Sequence, residues 1–289
     1  MMKKNFFLVG ILLLLFVFLI RPAEAINLLV EQGKVRLRIA PGQTKTGTIT
    51  IRNTESQPSD IRVYLEDWYY LLVADGTKEF KPKGTTPLSC ASWINFSPAE
   101  FTIPAYGKKE VNYTVKVPDN ASGGHYAVMF FETMLAEPGT MEGFGLGVAA
   151  RLGTLFYIEP EGSIRSLVEI GGLSVSKEAA KGPLVINLGL KNTGNVDITA
   201  SGTFHIIDKQ GMVYARGEFN TVYTFPTDTG TLRGEWKEPI PAGIYDLVIT
   251  VDAGKALEES GMGRGPVITK EAEIEVGAYG EVVKAGELK

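Results

Sequence analysis

The sequence predicts an all-β protein, built as two β-sandwiches in tandem behind an amino-terminal export segment. Three observations predict it. Between positions 26 and 289 helical periodicity is almost absent, with only 177–180 and 254–260 able to make a short helical turn. Elsewhere, runs of alternating apolar and polar residues are separated by Gly, Pro, Asn and Asp at the spacing of a sandwich. The start of the chain reads as a signal: Met1, Met2, Lys3 and Lys4, then an apolar run over 6–20, then Ala23-Glu24-Ala25. That run is shorter than the roughly 18 to 20 residues that cross a bilayer. We therefore expect 1–25 to be cleaved, and no later segment is apolar enough to span a membrane.

The elements follow in order. Ile49 and Ile51 alternate with Thr48, Thr50 and Arg52, and Ile61, Val63 and Leu65 alternate with Arg62, Tyr64 and Glu66. Val111, Tyr113, Val115 and Val117 form a third alternating row, stopped by Pro118 and turned by Gly123-Gly124. The stretch 126–131 is apolar without a break, as in a central strand covered on both faces. A strand over 144–157 closes the first unit, and Pro160-Glu161-Gly162 marks its exit. In the second unit Ile186, Leu188 and Leu190 face one way, Asn192-Thr193-Gly194-Asn195 turns, and strands follow over 204–207, 245–251 and around Ile274 and Val276. The expected boundaries are 1–25 for the signal, 26–165 for the first sandwich, 166–277 for the second and 278–289 for a flexible tail.

The two units echo each other. Ile51-Arg52-Asn53-Thr54 matches Leu190-Lys191-Asn192-Thr193, Asp60-Ile61 matches Asp197-Ile198, and Gly124-His125-Tyr126 matches Gly243-Ile244-Tyr245. Short matched pieces in the same order suggest two copies of one sandwich plan.

Composition narrows the function. The net charge is −4, and loss of Lys3, Lys4, Arg21 and Glu24 with the signal makes it two units more negative. That argues against broad binding to nucleic acid or anionic lipid. Cys90 is the only cysteine, so no internal disulfide can form, and it reads as a small apolar residue beside Trp93. The two histidines, His125 and His205, lie in different units, and neither has metal-ligand spacing to a partner. No nucleophile elbow, phosphate loop or dinucleotide fingerprint occurs. Glu66-Asp67 and Glu258-Glu259 are adjacent pairs, which a strand points to opposite faces, so neither makes an acid–base dyad. The expectation is a non-enzymatic protein with no cofactor and no metal.

One stretch stands out. From 143 to 152, Phe144, Leu146, Val148, Ala150 and Leu152 alternate with Gly143, Gly145, Gly147, Ala149 and Arg151. One face is a graded apolar row; the other is nearly bare, with a cation at its end. Such a strand either hides its row in its own core or offers it to another protein. The glycines let another backbone approach and leave the register weakly fixed, which suits a bound strand.

The first unit resembles the immunoglobulin-like amino-terminal domain of PapD-like periplasmic pilus-assembly chaperones, and the related bacterial surface proteins of the WxL-interacting type. The likeness is carried by Pro41-Gly42 before the strand ending in Asn53-Thr54, by Trp93-Ile94-Asn95-Phe96-Ser97-Pro98 followed by Phe101-Thr102-Ile103-Pro104, by the strand into Val117-Pro118, and by Leu155-Phe156-Tyr157-Ile158-Glu159-Pro160. It covers most of 26–165, and Lys191-Asn192-Thr193-Gly194-Asn195 resembles the second sandwich of the same group. The resemblance implies tandem immunoglobulin-like sandwiches and an exported, periplasmic or extracellular protein. It also implies binding of envelope or surface-fibre proteins by β-strand addition. Phe144, Leu146 and Val148 take the place of the strand-donating row. Arg151 and Arg38 lie near the basic pair that anchors a subunit's terminal carboxylate, each one residue off when the neighbouring motifs are aligned without gaps. The alternative is a structural or adhesive surface protein that binds cell-wall polysaccharide, motivated by the aromatic run Trp68-Tyr69-Tyr70, whose ring faces would stack on sugars.

Overall fold

The structure, a computed structural model, describes residues 28–136, 148–177, 182–254 and 265–289. Two immunoglobulin-like sandwiches fill it. In the first, one sheet holds β1 (Leu28–Val30), β3 (Thr44–Asn53), β8 (Lys108–Lys116) and β6 (Ile94–Ser97), in that order. The facing sheet runs β2 (Lys34–Ile39), β10 (Val148–Pro160), β9 (His125–Ala136), β4 (Ser59–Tyr70), β5 (Lys78–Pro82), with β7 (Glu100–Ile103) also paired to β4. The alternating rows meet between these sheets: Ile49, Ile51, Val111 and Val115 from one, Ile61, Val63, Met129, Phe131, Phe156 and Ile158 from the other. Cys90 is wholly buried among them, and burial pushes its thiol pKa up, as expected of a core residue.

The second unit is an eight-stranded sheet folded on itself: β11 (Val168–Lys177), β12 (Leu184–Asn192), β15 (Thr229–Trp236), β14 (Val213–Thr224), β13 (Ile198–Asp208), β16 (Gly243–Asp252), β17 (Val267–Val276) and β18 (Val282–Ala285). Between β14 and β15 the ladder narrows to one pair, Phe219 with Gly234, so the sheet creases there into two packed layers. Leu188, Phe204, Ile206, Leu247 and Ile249 fill the space between them. The segment 278–289 contributes to this sheet. β18 pairs with β17, and Lys289 exchanges backbone hydrogen bonds with Glu271.

The internal echo has a physical basis. Asn53 and Asn192 are both buried and both hold a turn. The Asn53 side-chain amide donates to the carbonyls of Gln57, Ile103 and Pro104, and its carbonyl accepts from the Glu55 N–H. Asn192 donates to Val196 and Thr224 and accepts from Gly194. A short amide side chain can satisfy donor and acceptor groups of one turn together, which is why asparagine recurs here.

Candidate functional site

The sheet that carries β10 has two distinct environments along this one strand. From Val148 to Ile158 β10 pairs antiparallel with β9. On its other side β2 begins only at Lys34, opposite Leu155, and continues parallel to Pro160. The Leu155 N–H donates outward to the Gly33 carbonyl at 3.0 Å. Backbone groups alternate sides along a strand, so Ala149, Arg151 and Gly153 also point outward. Among the described residues no strand pairs with them on that side. Among the described residues the outer edge of β10 from Val148 to Gly153 therefore carries no paired strand, and a bulge at Val148/Ala149 marks where the regular ladder starts.

The side chains divide by the same parity. Phe156 and Ile158 point into the sandwich core, so Val148, Ala150 and Leu152 share that face. The row emerges from the core toward its start: Ala150 is buried, Leu152 half-buried and Val148 44% exposed. Phe144 and Leu146, which continue this row in the sequence, lie outside the described residues. Arg151 falls on the opposite face. Its guanidinium lies over the Phe130 ring at 4.1 Å and bonds both oxygens of Glu66 at 3.1 Å, so it is drawn back over the sheet and away from the edge. An edge strand is usually guarded by charge or proline; here the outward positions are Ala149, a tethered Arg151 and Gly153.

Arg38 is elsewhere. It sits opposite Glu159, eight residues further along β10 than Arg151, a separation of about 26 Å at strand spacing. Its Nε donates to Glu159 at 2.9 Å. The structure does not bring Arg38 and Arg151 together as one anchor.

What it brings together instead is a buried ionic knot between the two units. Arg36 on β2 has a side chain 2% exposed. It donates to Glu159 of β10 and, through both terminal nitrogens, to Asp197 just before β13, at 3.0 and 2.6 Å. The Tyr126 hydroxyl donates to the same Asp197 carboxylate at 3.2 Å and accepts from the Asp197 N–H at 2.6 Å. Burial opposes the Arg36 charge, but Asp197 and Glu159 outweigh it and raise its pKa above the ordinary arginine value. Around the knot lies an aromatic layer. Phe225 of the second unit stacks on Tyr126 at 4.1 Å and packs on Trp68 at 5.1 Å, while Tyr70 and Tyr157 meet hydroxyl to hydroxyl at 3.3 Å. Burial pushes both of those phenols up. Gly123 and Gly124 let the units touch: a Cβ at Gly124 would lie 2.3 Å from the Tyr126 hydroxyl, and Gly123 has φ +76° against the Asn195 backbone.

This layer corrects the reading of Trp68-Tyr69-Tyr70 as an exposed sugar platform. Trp68 is 1% and Tyr70 5% exposed, and only Tyr69 reaches outward. Along β4 the buried positions are Ile61, Val63, Leu65 and Asp67, then the phase shifts and Trp68 and Tyr70 are buried on the other face. The reason is tertiary: there the second unit covers the outer face. Sequence reasoning missed Arg36, Glu159, Asp197 and Tyr126. The legible hint was Glu159, a lone carboxylate ending the run Leu155-Phe156-Tyr157-Ile158, since a charge inside a buried strand demands a partner.

Among the described residues no group of three or more His, Cys, Asp or Glu side chains is placed to hold a metal ion, and no helix is long and apolar enough to cross a membrane.

No protein-family model matches the sequence, and no curated protein matches it significantly. Among solved structures, the chain is similar to the class 5 fimbriae chaperone CfaA, with 14% identity, 85% of this chain and 98% of that one covered, and a TM-score of 0.45. It is also similar to the CupB2 chaperone of Pseudomonas aeruginosa, at 11% identity, coverage of 84% and 98%, and TM-score 0.42. A third is the Salmonella enterica SafA pilin in complex with the SafB chaperone, at 10% identity, coverage of 86% and 97%, and TM-score 0.41. Likeness at this distance carries no argument about what the chain does.

Proposed function

We propose that this chain is an exported, non-enzymatic protein-binding module of the periplasm or cell surface. It acts in the manner of an assembly chaperone, taking an envelope or surface-fibre protein as an added strand along β10. The observation that carries the reading is the outer edge of β10 from Val148 to Gly153, unpaired among the described residues, with apolar side chains emerging beside it. An added strand would satisfy the outward N–H and C=O groups of Ala149, Arg151 and Gly153, each hydrogen bond contributing about 1 kcal/mol net. Val148, with Phe144 and Leu146 before it, supplies the apolar side chains that fill the partner's pockets. Arg151, beside this edge, and Arg38, opposite Glu159 in the closed half, are proposed as separate polar contacts to the partner rather than as a pair.

The test is capture from an envelope extract with the tagged chain starting at Ile26, followed by mass spectrometry. A stoichiometric β-rich partner, lost with the Phe144→Asp/Leu146→Asp double variant while circular dichroism is unchanged, supports the reading. A double variant that unfolds shows the row to be core and removes it.

A further inference from the structure

On the β4–β5 side of the same sheet, away from the open edge of β10, the structure holds a half-open cavity of about 450 Å³. Its floor is made by Trp68 and Phe225, both buried, and its wall by Leu88 and Tyr69. Thr85 and Pro87, both exposed, stand at its mouth. Phe225 belongs to the second unit and the others to the first, so the cavity is continuous with the aromatic layer that joins them.

The polar atoms around it are already engaged. The Trp68 indole N–H donates to the Ala127 carbonyl at 3.0 Å. The Thr86 hydroxyl bonds Asp67 at 3.2 Å, and the Thr85 hydroxyl donates to the Pro82 carbonyl at 2.7 Å. Lys81 is ion-paired with Glu79. The exposed lining is thus almost wholly carbon. Pockets of this size and character are where small molecules bind, and their few unsatisfied polar groups set which ones. Here a charged ligand would lose its hydration, and the one charged group in the lining, Lys81, is already paired with Glu79. The volume is about three times the roughly 150 Å³ that accepts a single benzene ring, and two aromatic side chains in the floor offer ring contacts.

We propose that this cavity binds an uncharged aromatic molecule of two or three rings, held between the two units. Because the ligand touches Phe225 on one side and Leu88 and Pro87 on the other, binding strengthens the junction and raises the unfolding temperature.

The test is a fluorescence titration of the purified chain with N-phenyl-1-naphthylamine, an uncharged probe that brightens in apolar sites. The expected result is saturation at one probe per chain together with a raised melting temperature. Leu88→Asp, which puts a charge in the wall, should weaken binding about tenfold or more with the fold intact by circular dichroism. If that variant does not fold, Thr85→Trp decides. It fills the mouth from an exposed position and keeps the Thr85 backbone bond to Asp67. Absence of saturable binding by the unaltered chain, or unchanged binding in the folded variants, overturns the proposal.

Discussion

The two ends of β10 share a strand and a neighbour, β9, and little else. From Leu155 to Ile158 the strand is paired on both edges, and β2 continues alongside it to Pro160; Phe156 and Ile158 lie in the core and Tyr157 and Glu159 in the junction. From Val148 to Gly153 one edge is unpaired among the described residues and the side chains are small or half-exposed. The difference teaches that the rigid end holds the open end in place. The closed half, fastened to β2 and through Glu159 and Arg36 to the second unit, fixes the strand whose other half is left unpaired.

The largest effect is expected from breaking the closed half. Arg36→Met leaves Glu159 and Asp197, each 1% exposed, buried without their common partner. Removing one member of a buried ion cluster costs about 3–5 kcal/mol, read as a lower urea midpoint. Adding apolar replacements at Glu159 and Asp197 should restore most of the loss, because the paired charges gain little over a packed core. If Arg36→Met alone is neutral, the knot does not hold the strand.

A pair of proline substitutions tests the two edges of the open half. The Leu152 backbone faces β9, where it pairs with Phe131, so Leu152→Pro removes a ladder bond and strands a buried carbonyl, at about 1–3 kcal/mol. The Arg151 N–H points to the open side, so Arg151→Pro should cost less than about 1 kcal/mol, mostly from lost surface contacts to Glu66. Yet it should abolish capture of the partner that the unaltered chain binds. Equal destabilisation by the two prolines would show that the outer edge is occupied at home.

The smallest expected effect is a pH dependence centred on His125, at the start of β9 and packed on Trp93 at 4.3 Å. Burial lowers its pKa, against the Ser122 and Ser89 carbonyls, which act to raise it. The unfolded chain takes up the proton near the ordinary value of about 6.5, while the folded chain resists it. The unfolded state then binds more protons, so stability is full above that value and falls as pH drops toward the folded pKa. His125→Gln should flatten the decline in melting temperature between neutral and mildly acidic pH. An unchanged slope would assign the decline to other groups.

Much of this was legible in the alternation. Ile49 and Ile51, Ile61 to Leu65, Val111 to Val115 and the unbroken run 126–131 report their burial through period and run length, which are local properties. The paired turns at Asn53 and Asn192 were legible because an asparagine turn is closed within a few residues. The open edge was half legible: the sequence shows a strand with one bare face, but whether β2 extends far enough to cover it depends on where Lys34 lands beside Leu155. The ionic knot was not legible, because Arg36, Glu159 and Asp197 meet only once both units are placed. The same holds for Trp68 and Tyr70, whose burial is decided by Phe225, more than 150 residues away in the chain.

One small residue has a consequence for how the molecule can be divided. Ala74, in the turn between β4 and β5, belongs to the first unit by chain order but is buried within the second unit's core, and its carbonyl accepts the Tyr223 N–H at 2.8 Å. The peptide from 161 to 167 is thus not what holds the halves in register. A protease nick there should release nothing, with both fragments eluting as one species. The second half expressed alone would lack part of its own interior, and grafting a foreign sandwich in its place would leave the β4–β5 turn without a seat. The inheritable piece is the pair.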